Sequence, residues 1–117
     1  MERKKISVVL SVYNEELSLN QFYKTTVSVL DKCVWDYELI FVNDGSQDGS
    51  IELLKGFAKE NAKVKVVDFS RNFGHEAAMI AGIDHAQGDG VVCMDADLQH
   101  PPACIPDIIA KFEDGYE

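Results

Sequence analysis

The residues predict an α/β protein, a Rossmann-like three-layer α/β/α arrangement around a mostly parallel sheet. Short apolar runs at 6–12, 37–42, 64–69 and 90–95 alternate with stretches whose apolar residues recur at helical spacing. Several runs are nearly continuous, the mark of strands buried on both faces. Every conspicuous polar loop (13–16, 43–50, 70–75 and 95–102) follows a strand. In an open sheet with right-handed crossovers such loops share one edge, and ligands bind beyond it.

The first strand is Ile6 to Val12, a β-branched run ended by Tyr13-Asn14-Glu15-Glu16. Leu19, Phe22, Tyr23, Val27 and Leu30 then mark a helix from 17 to about 32, with Ser18 as its expected N-cap. Tyr37 to Val42 is the second strand, and Asn43 to Ser50 is a loop of turn formers. Ile51, Leu54 and Ala58 mark a second helix, capped by Asp48 or Ser50. Val64 to Phe69 is the third strand. A third helix spans about His75 to Gln87. Its small residues Ala77, Ala78, Ala81 and Gly82 suit close packing on a sheet, and Gly88 is its expected C′ stop. Gly90 to Asp95 is the fourth strand. Ile105, Ile108, Ile109 and Phe112 form a last helical stripe, with Pro102 suited to its first turn.

The chain has 117 residues, so a single domain over 1–117 is expected. A net charge of −9 argues against a general nucleic-acid backbone binder, which needs Lys and Arg against phosphates. Most of these acids read as solvated surface. The three cysteines, Cys33, Cys93 and Cys104, are odd in number and form no CxxC. Reduced thiols packing as small hydrophobes are expected, in a cytoplasmic setting. The basic start before Ile6 imitates a signal peptide, but the apolar run is short and ends in Asn14-Glu15-Glu16. No apolar stretch approaches the ~20 residues that span a bilayer. Neither GxGxxG nor GxxxxGK[ST] is present, so dinucleotide and P-loop sites are disfavoured.

Asp95 and Asp97 stand at a strand end with Gln99 two residues on. Hard oxygen ligands there suit Mg²⁺ or Mn²⁺ bound with a diphosphate, and the bland alternative is a helix N-cap with two solvated carboxylates. Asp44 sits beside Gly45 and near Gly49, where the backbone can approach closely. Its carboxylate could accept a nucleobase N–H or simply close an Asx-turn, and loop chemistry alone does not choose. Arg71 could meet a phosphate or base, or join a surface ion pair. His75-Glu76 opens a helix, but position 79 is Met, so HExxH is absent. His75, His85 and His100 have no assigned role.

Together, Ser11-Val-Tyr-Asn-Glu-Glu16, Val42-Asn-Asp-Gly-Ser46, Ser70-Arg-Asn-Phe-Gly74 and Asp95-Ala-Asp-Leu-Gln-His-Pro-Pro102 closely resemble glycosyltransferase family 2. The likeness is to its polyprenyl-phosphate branch, similar to dolichyl-phosphate mannose synthases and bactoprenyl glucosyltransferases, and it covers essentially the whole chain. The resemblance implies a GT-A fold, an inverting transfer, a UDP- or GDP-sugar donor, a divalent metal and a polyprenyl phosphate acceptor. By that likeness Tyr13, Asn14, Glu15 and Asp44 fall where the family contacts the nucleoside, and Arg71 near the base and diphosphate. Asp95, Asp97 and Gln99 match the metal and diphosphate motif. The branch often carries Lys where this chain has His75, which sets aside a charge-dependent role there. Family members continue well past this length, so the chain is expected to be the N-terminal donor-binding part, with the acceptor half and general base elsewhere. Alone it would bind nucleotide weakly and turn over poorly. The full-length protein is expected at the cytoplasmic face of the membrane.

Two other readings compete. A phosphoacceptor receiver domain would use Glu15-Glu16 after the first strand and Asp68 near the end of the third, although no fifth strand supplies its lysine. A non-catalytic sugar-nucleotide binding module would bind without transfer. An unfinished sheet edge leaves self-association open.

Overall fold

The structure is a computed structural model describing residues 4–32 and 35–95. Seven elements follow one another: β1 (Lys5–Val12), α1 (Glu16–Asp31), β2 (Asp36–Asn43), α2 (Ser50–Glu60), β3 (Val64–Asp68), α3 (His75–His85) and β4 (Gly90–Asp95). All strand pairs are parallel, in the order β3-β2-β1-β4. The expected strands and helices are therefore present, and the last stripe, Ile105 to Phe112, lies outside the described residues.

The continuous apolar runs mean what they were expected to mean. All of β1 but Lys5 and all of β2 but Asp36 are buried, because helices cover both faces. One face carries Val8, Leu10, Leu39 and Phe41 against Leu19 and Phe22 of α1 and Leu54 and Phe57 of α2. Tyr23 stacks on Phe57 with ring centroids 3.9 Å apart. Each such buried large side chain contributes about 1.5–3 kcal/mol. The opposite face carries Val9, Ile40 and Val42 against Ala78 of α3. Gly82 lets α3 sit close, since a Cβ there would overlap Val9 Cγ1. The small-residue contact is thus Ala78 and Gly82, whereas Ala77 and Ala81 are only partly buried.

Four local expectations need correction. Ser18 is not the cap of α1. Glu15 holds the N-cap position, and the Ser18 hydroxyl turns back onto the Glu15 carbonyl and carboxylate. Gly88 does not close α3, which ends at His85 with Ala86 extended. Gly88 instead passes tightly against β1, where a Cβ would lie 2.8 Å from the Lys5 carbonyl oxygen, and its N–H donates to Ser7 Oγ at 2.8 Å. Cys93 is exposed rather than packed away. The N-cap of α2 is Gly49, neither Asp48 nor Ser50, and it makes no side-chain cap bond; Asp48 Oδ1, one residue earlier, accepts the Ser50 N–H at 3.0 Å.

A polar cluster sits among the buried residues near the amino ends of the strands. Glu38 is 1% exposed. Its carboxylate accepts the Ser7 hydroxyl at 2.5 Å and the Gln87 N–H at 2.7 Å, and it pairs with Lys65 Nζ at 2.8 Å. Burial pushes the Glu38 carboxyl up. The bonds from Lys65, Ser7 and Gln87 outweigh that and hold it below the usual carboxylate range.

Candidate functional site at the carboxyl edge of the sheet

Because every strand is parallel, the loops after β1, β2 and β3 all emerge at one edge, together with the end of β4. The strand order reverses between β1 and β4, and sheets of this kind bind ligands at such a switch point. Asp95 ends β4 there, in register with Ser11. Asp97 and Gln99 lie outside the described residues.

The loops are tied together by their own polar groups. Asn14 adopts φ 52°, a left-handed conformation that Asn tolerates better than most residues. Its N–H donates to Ser46 Oγ at 3.0 Å, and its Oδ1 accepts the Gln47 N–H at 2.8 Å. The Glu15 N–H donates to Ser50 Oγ at 3.0 Å and the Glu16 N–H to Asp48 Oδ2 at 3.2 Å. These bonds satisfy donors at the start of α1 that no local cap reaches. Glu16 Oε1 accepts the Gly49 N–H at 2.8 Å in return. Burial raises the Asp48 carboxyl, and bonds from the Ser50 hydroxyl, the Ser50 N–H and the Glu16 N–H bring it below the ordinary carboxylate range.

Asp44 joins the second loop to the third. It is 3% exposed, and its two oxygens accept the Phe73 N–H at 2.8 Å and the Gly74 N–H at 3.1 Å. Gly74 has φ 99°, a conformation that needs glycine. Gly45, at φ 72°, lies against the Arg71–Asn72 peptide so closely that any Cβ would overlap it. The close approach expected at Gly45 is therefore real, and what approaches is the neighbouring loop.

Between these loops lies a cleft of about 410 Å³ whose lining includes Tyr13, Asn43, Gln47, Ile51, Asp68 and Arg71. Tyr13 is 45% exposed at its rim. Arg71 is exposed, with its guanidinium carbon 4.7 Å from the centroid of the Phe73 ring. Among the described residues it has no ion-pair partner. Phe73 meets Phe69 edge-on at 5.3 Å. Asn43 Nδ2 donates to Asp68 Oδ1 at 2.9 Å, and Asn43 Oδ1 accepts the Ser46 N–H at 3.3 Å. Of the expected residues, Tyr13 and Arg71 face this cleft. Asn14, Glu15 and Asp44 stand in the loops that frame it. Asn43, Gln47 and Asp68 also line it, although the sequence assigned them no role there.

Asp68 is two strands away from the loop after β1, with β2 in between. A receiver site needs its phosphoacceptor strand beside the first, as in the strand order 2-1-3-4-5. That reading is set aside.

The family model described as Glycosyl transferase family 2 matches residues 7–117. The chain belongs to that family. It is 50% identical over 111 residues to an uncharacterized glycosyltransferase, YkcC, of Bacillus subtilis, covering 95% of this chain and 34% of that one. It is 40% identical over 113 residues to an undecaprenyl-phosphate 4-deoxy-4-formamido-L-arabinose transferase of Shewanella sediminis, covering 96% and 34%. The chain thus spans about a third of the length of the curated relatives it matches. A mannosyltransferase of Pyrobaculum calidifontis, solved with GDP-Man and Mn²⁺, superimposes with a TM-score of 0.73 at 23% identity, covering 89% of this chain and 30% of that one. That likeness supports the GT-A fold expected of family 2.

The donor set expected for a metal is Asp95, Asp97 and Gln99. All three carry hard oxygen ligands within five residues of sequence beginning at the end of β4, which is the chemistry Mg²⁺ or Mn²⁺ takes. Among the described residues alone, no group of three His, Cys, Asp or Glu could hold a metal. Among the described residues, no helix is long and apolar enough to cross a membrane.

Proposed function

We propose that residues 1–117 form one nucleotide-sugar-binding unit, the donor-binding part of a glycosyltransferase that uses a UDP- or GDP-sugar. The observation that carries this is the placing, in a member of family 2, of three stitched loops and the end of β4 around one switch point. Tyr13 and Arg71 flank the nucleoside in the cleft. Asn14, Glu15 and Asp44 hold the frame or contact the nucleoside. Asp95, Asp97 and Gln99 hold Mg²⁺ or Mn²⁺ against the diphosphate.

The acceptor of the full-length protein is a polyprenyl phosphate, as the name of the Shewanella sediminis relative suggests. An acceptor phosphate oxygen bonds to the anomeric carbon as that carbon's bond to the diphosphate oxygen breaks. The bonding pair leaves on the nucleoside diphosphate, and the anomeric configuration inverts. A divalent cation held by Asp95, Asp97 and Gln99 would supply positive charge toward that leaving group. Arg71 adds a fixed positive charge at the same edge, and the tied loops hold the nucleoside without rearranging. This reaction belongs at the cytoplasmic face of the membrane.

Calorimetry with UDP, GDP and their sugars, with and without Mn²⁺, tests the reading. One of the two nucleotides binds with metal, and Asp97→Asn weakens it about tenfold or more, a change of about 1.4 kcal/mol. Binding indifferent to both metal and Asp97→Asn would overturn the assignment.

A further inference from the structure

Two aspartates stand at the cleft, and the fold engages them differently. Asp44 is 3% exposed, and both its oxygens hold backbone N–H groups of the loop after β3. Asp68, the last residue of β3, is exposed and lines the cleft. Its Oδ1 accepts Asn43 Nδ2 at 2.9 Å. Among the described residues its Oδ2 has no hydrogen-bond or ion-pair partner.

Asn43 fixes how the Asp68 carboxylate is held. The two residues are in register across β2 and β3, so their side chains share a face. Asn43 is 2% exposed. Its Oδ1 accepts the Ser46 N–H at 3.3 Å, which only the oxygen end of the amide can do, so Nδ2 is the end that meets Asp68. A buried amide engaged at both ends keeps its orientation. One oxygen of Asp68 is thereby pinned, and the other is left as an acceptor for an N–H. Tyr13 and Arg71 line the same cleft. Its volume of about 410 Å³ is at the lower end of the roughly 300–1,000 Å³ of ligand pockets, which suits a base and its ribose better than a whole nucleotide sugar.

We propose that Asp68, positioned by Asn43, selects the base of the donor by accepting a ring N–H. Uracil carries that N–H at N3 and guanine at N1. Cytosine and adenine have a bare ring nitrogen there, whose lone pair would meet the carboxylate and leave two acceptors without a proton between them. The inference rests on the nucleotide-sugar reading and names the residue that gives that site its choice of base. Asp44, engaged with the loop backbone, is a positioning residue.

Calorimetry on the 117-residue chain with Mn²⁺ compares UDP with CDP and GDP with ADP, in the parent, Asp68→Asn and Asp44→Asn. The parent binds UDP or GDP at least about tenfold more tightly than its amino counterpart. In Asp68→Asn the bond from Asn43 still claims the oxygen, so the new amide turns its NH₂ toward the base and offers a donor where an acceptor stood. The preference then falls to within about threefold or inverts, and CDP or ADP binds more tightly than it does to the parent. Damage to the loops cannot produce that gain. Asp44→Asn keeps the parent's ratio. If Asp68→Asn does not fold, Asp68→Ala decides by the same ratio, narrowed without the gain. An unchanged ratio, equal weakening of all the nucleotides, or a narrowing confined to Asp44→Asn overturns the role of Asp68 and leaves the donor reading standing. A parent that binds none of the nucleotides overturns both.

Discussion

The two ends of this sheet use carboxylates in opposite ways. At the amino end, Glu38 sinks into the fold and is consumed by Ser7, Gln87 and Lys65. At the carboxyl end, Asp44, Asp48 and the Asn14 amide spend oxygens on the backbone N–H groups of neighbouring loops. The first arrangement closes an end. The second builds a rigid rim and leaves Tyr13 and Arg71 facing a cleft. Polar residues in an α/β fold thus do not mark a site by being polar. They mark it when their bonds fix backbone around a space.

The largest effect should come from Gly45→Val. The new side chain must hold φ near 72° and displace the Arg71–Asn72 peptide. A loss of about 3 kcal/mol is expected by urea denaturation. Full stability would show that the two loops are not locked together. Next is Glu38→Gln, which removes the charge from a buried network and should lose about 2 kcal/mol. The Glu38 carboxyl titrates below its ordinary value in the folded state. Its contribution is therefore complete above about pH 4.3 and fades as acid protonates the folded group. Between about pH 4.3 and pH 2, stability should fall less steeply in Glu38→Gln than in the parent, and parallel curves would contradict the assignment.

Asp44→Asn keeps one acceptor oxygen and loses the charge. About 1–2 kcal/mol is expected, with faster amide exchange confined to Phe73 and Gly74. Exchange that rises throughout the fold would make Asp44 a general stabiliser rather than a loop clip. The smallest effect belongs to Lys63→Ala. Its pair with Asp36, at 2.8 Å, is exposed on both sides, so thermal unfolding should shift by no more than about 0.5 kcal/mol.

Strands were legible because burial on both faces writes itself into consecutive residues. Ile6–Val12 and Tyr37–Val42 are within a residue of the observed strands. The gathering of polar loops at one edge followed from parallel topology alone. Caps were less legible. Ser18 carries the usual signature, yet the start of α1 is satisfied by Asp48 and Ser50 from another loop. Gly88 sits where a helix stop would, but its role is contact with β1. Glu38 and Asn43 gave no local signal, since a polar residue inside a strand reveals its purpose only beside its partners. The aspartate–glycine pair at 44–45 was visible as chemistry, but not as a clasp between loops.

The comparison of the two ends is tested most directly by amide chemical shifts in the 117-residue chain, titrated with UDP or GDP and Mg²⁺. Shifts should concentrate at Tyr13, Asn14, Ser46, Gln47, Arg71 and Asn72, leaving Ser7, Glu38, Gln87 and Gly88 still. Shifts centred on the Glu38 end, or none at saturating nucleotide and metal, would contradict the account.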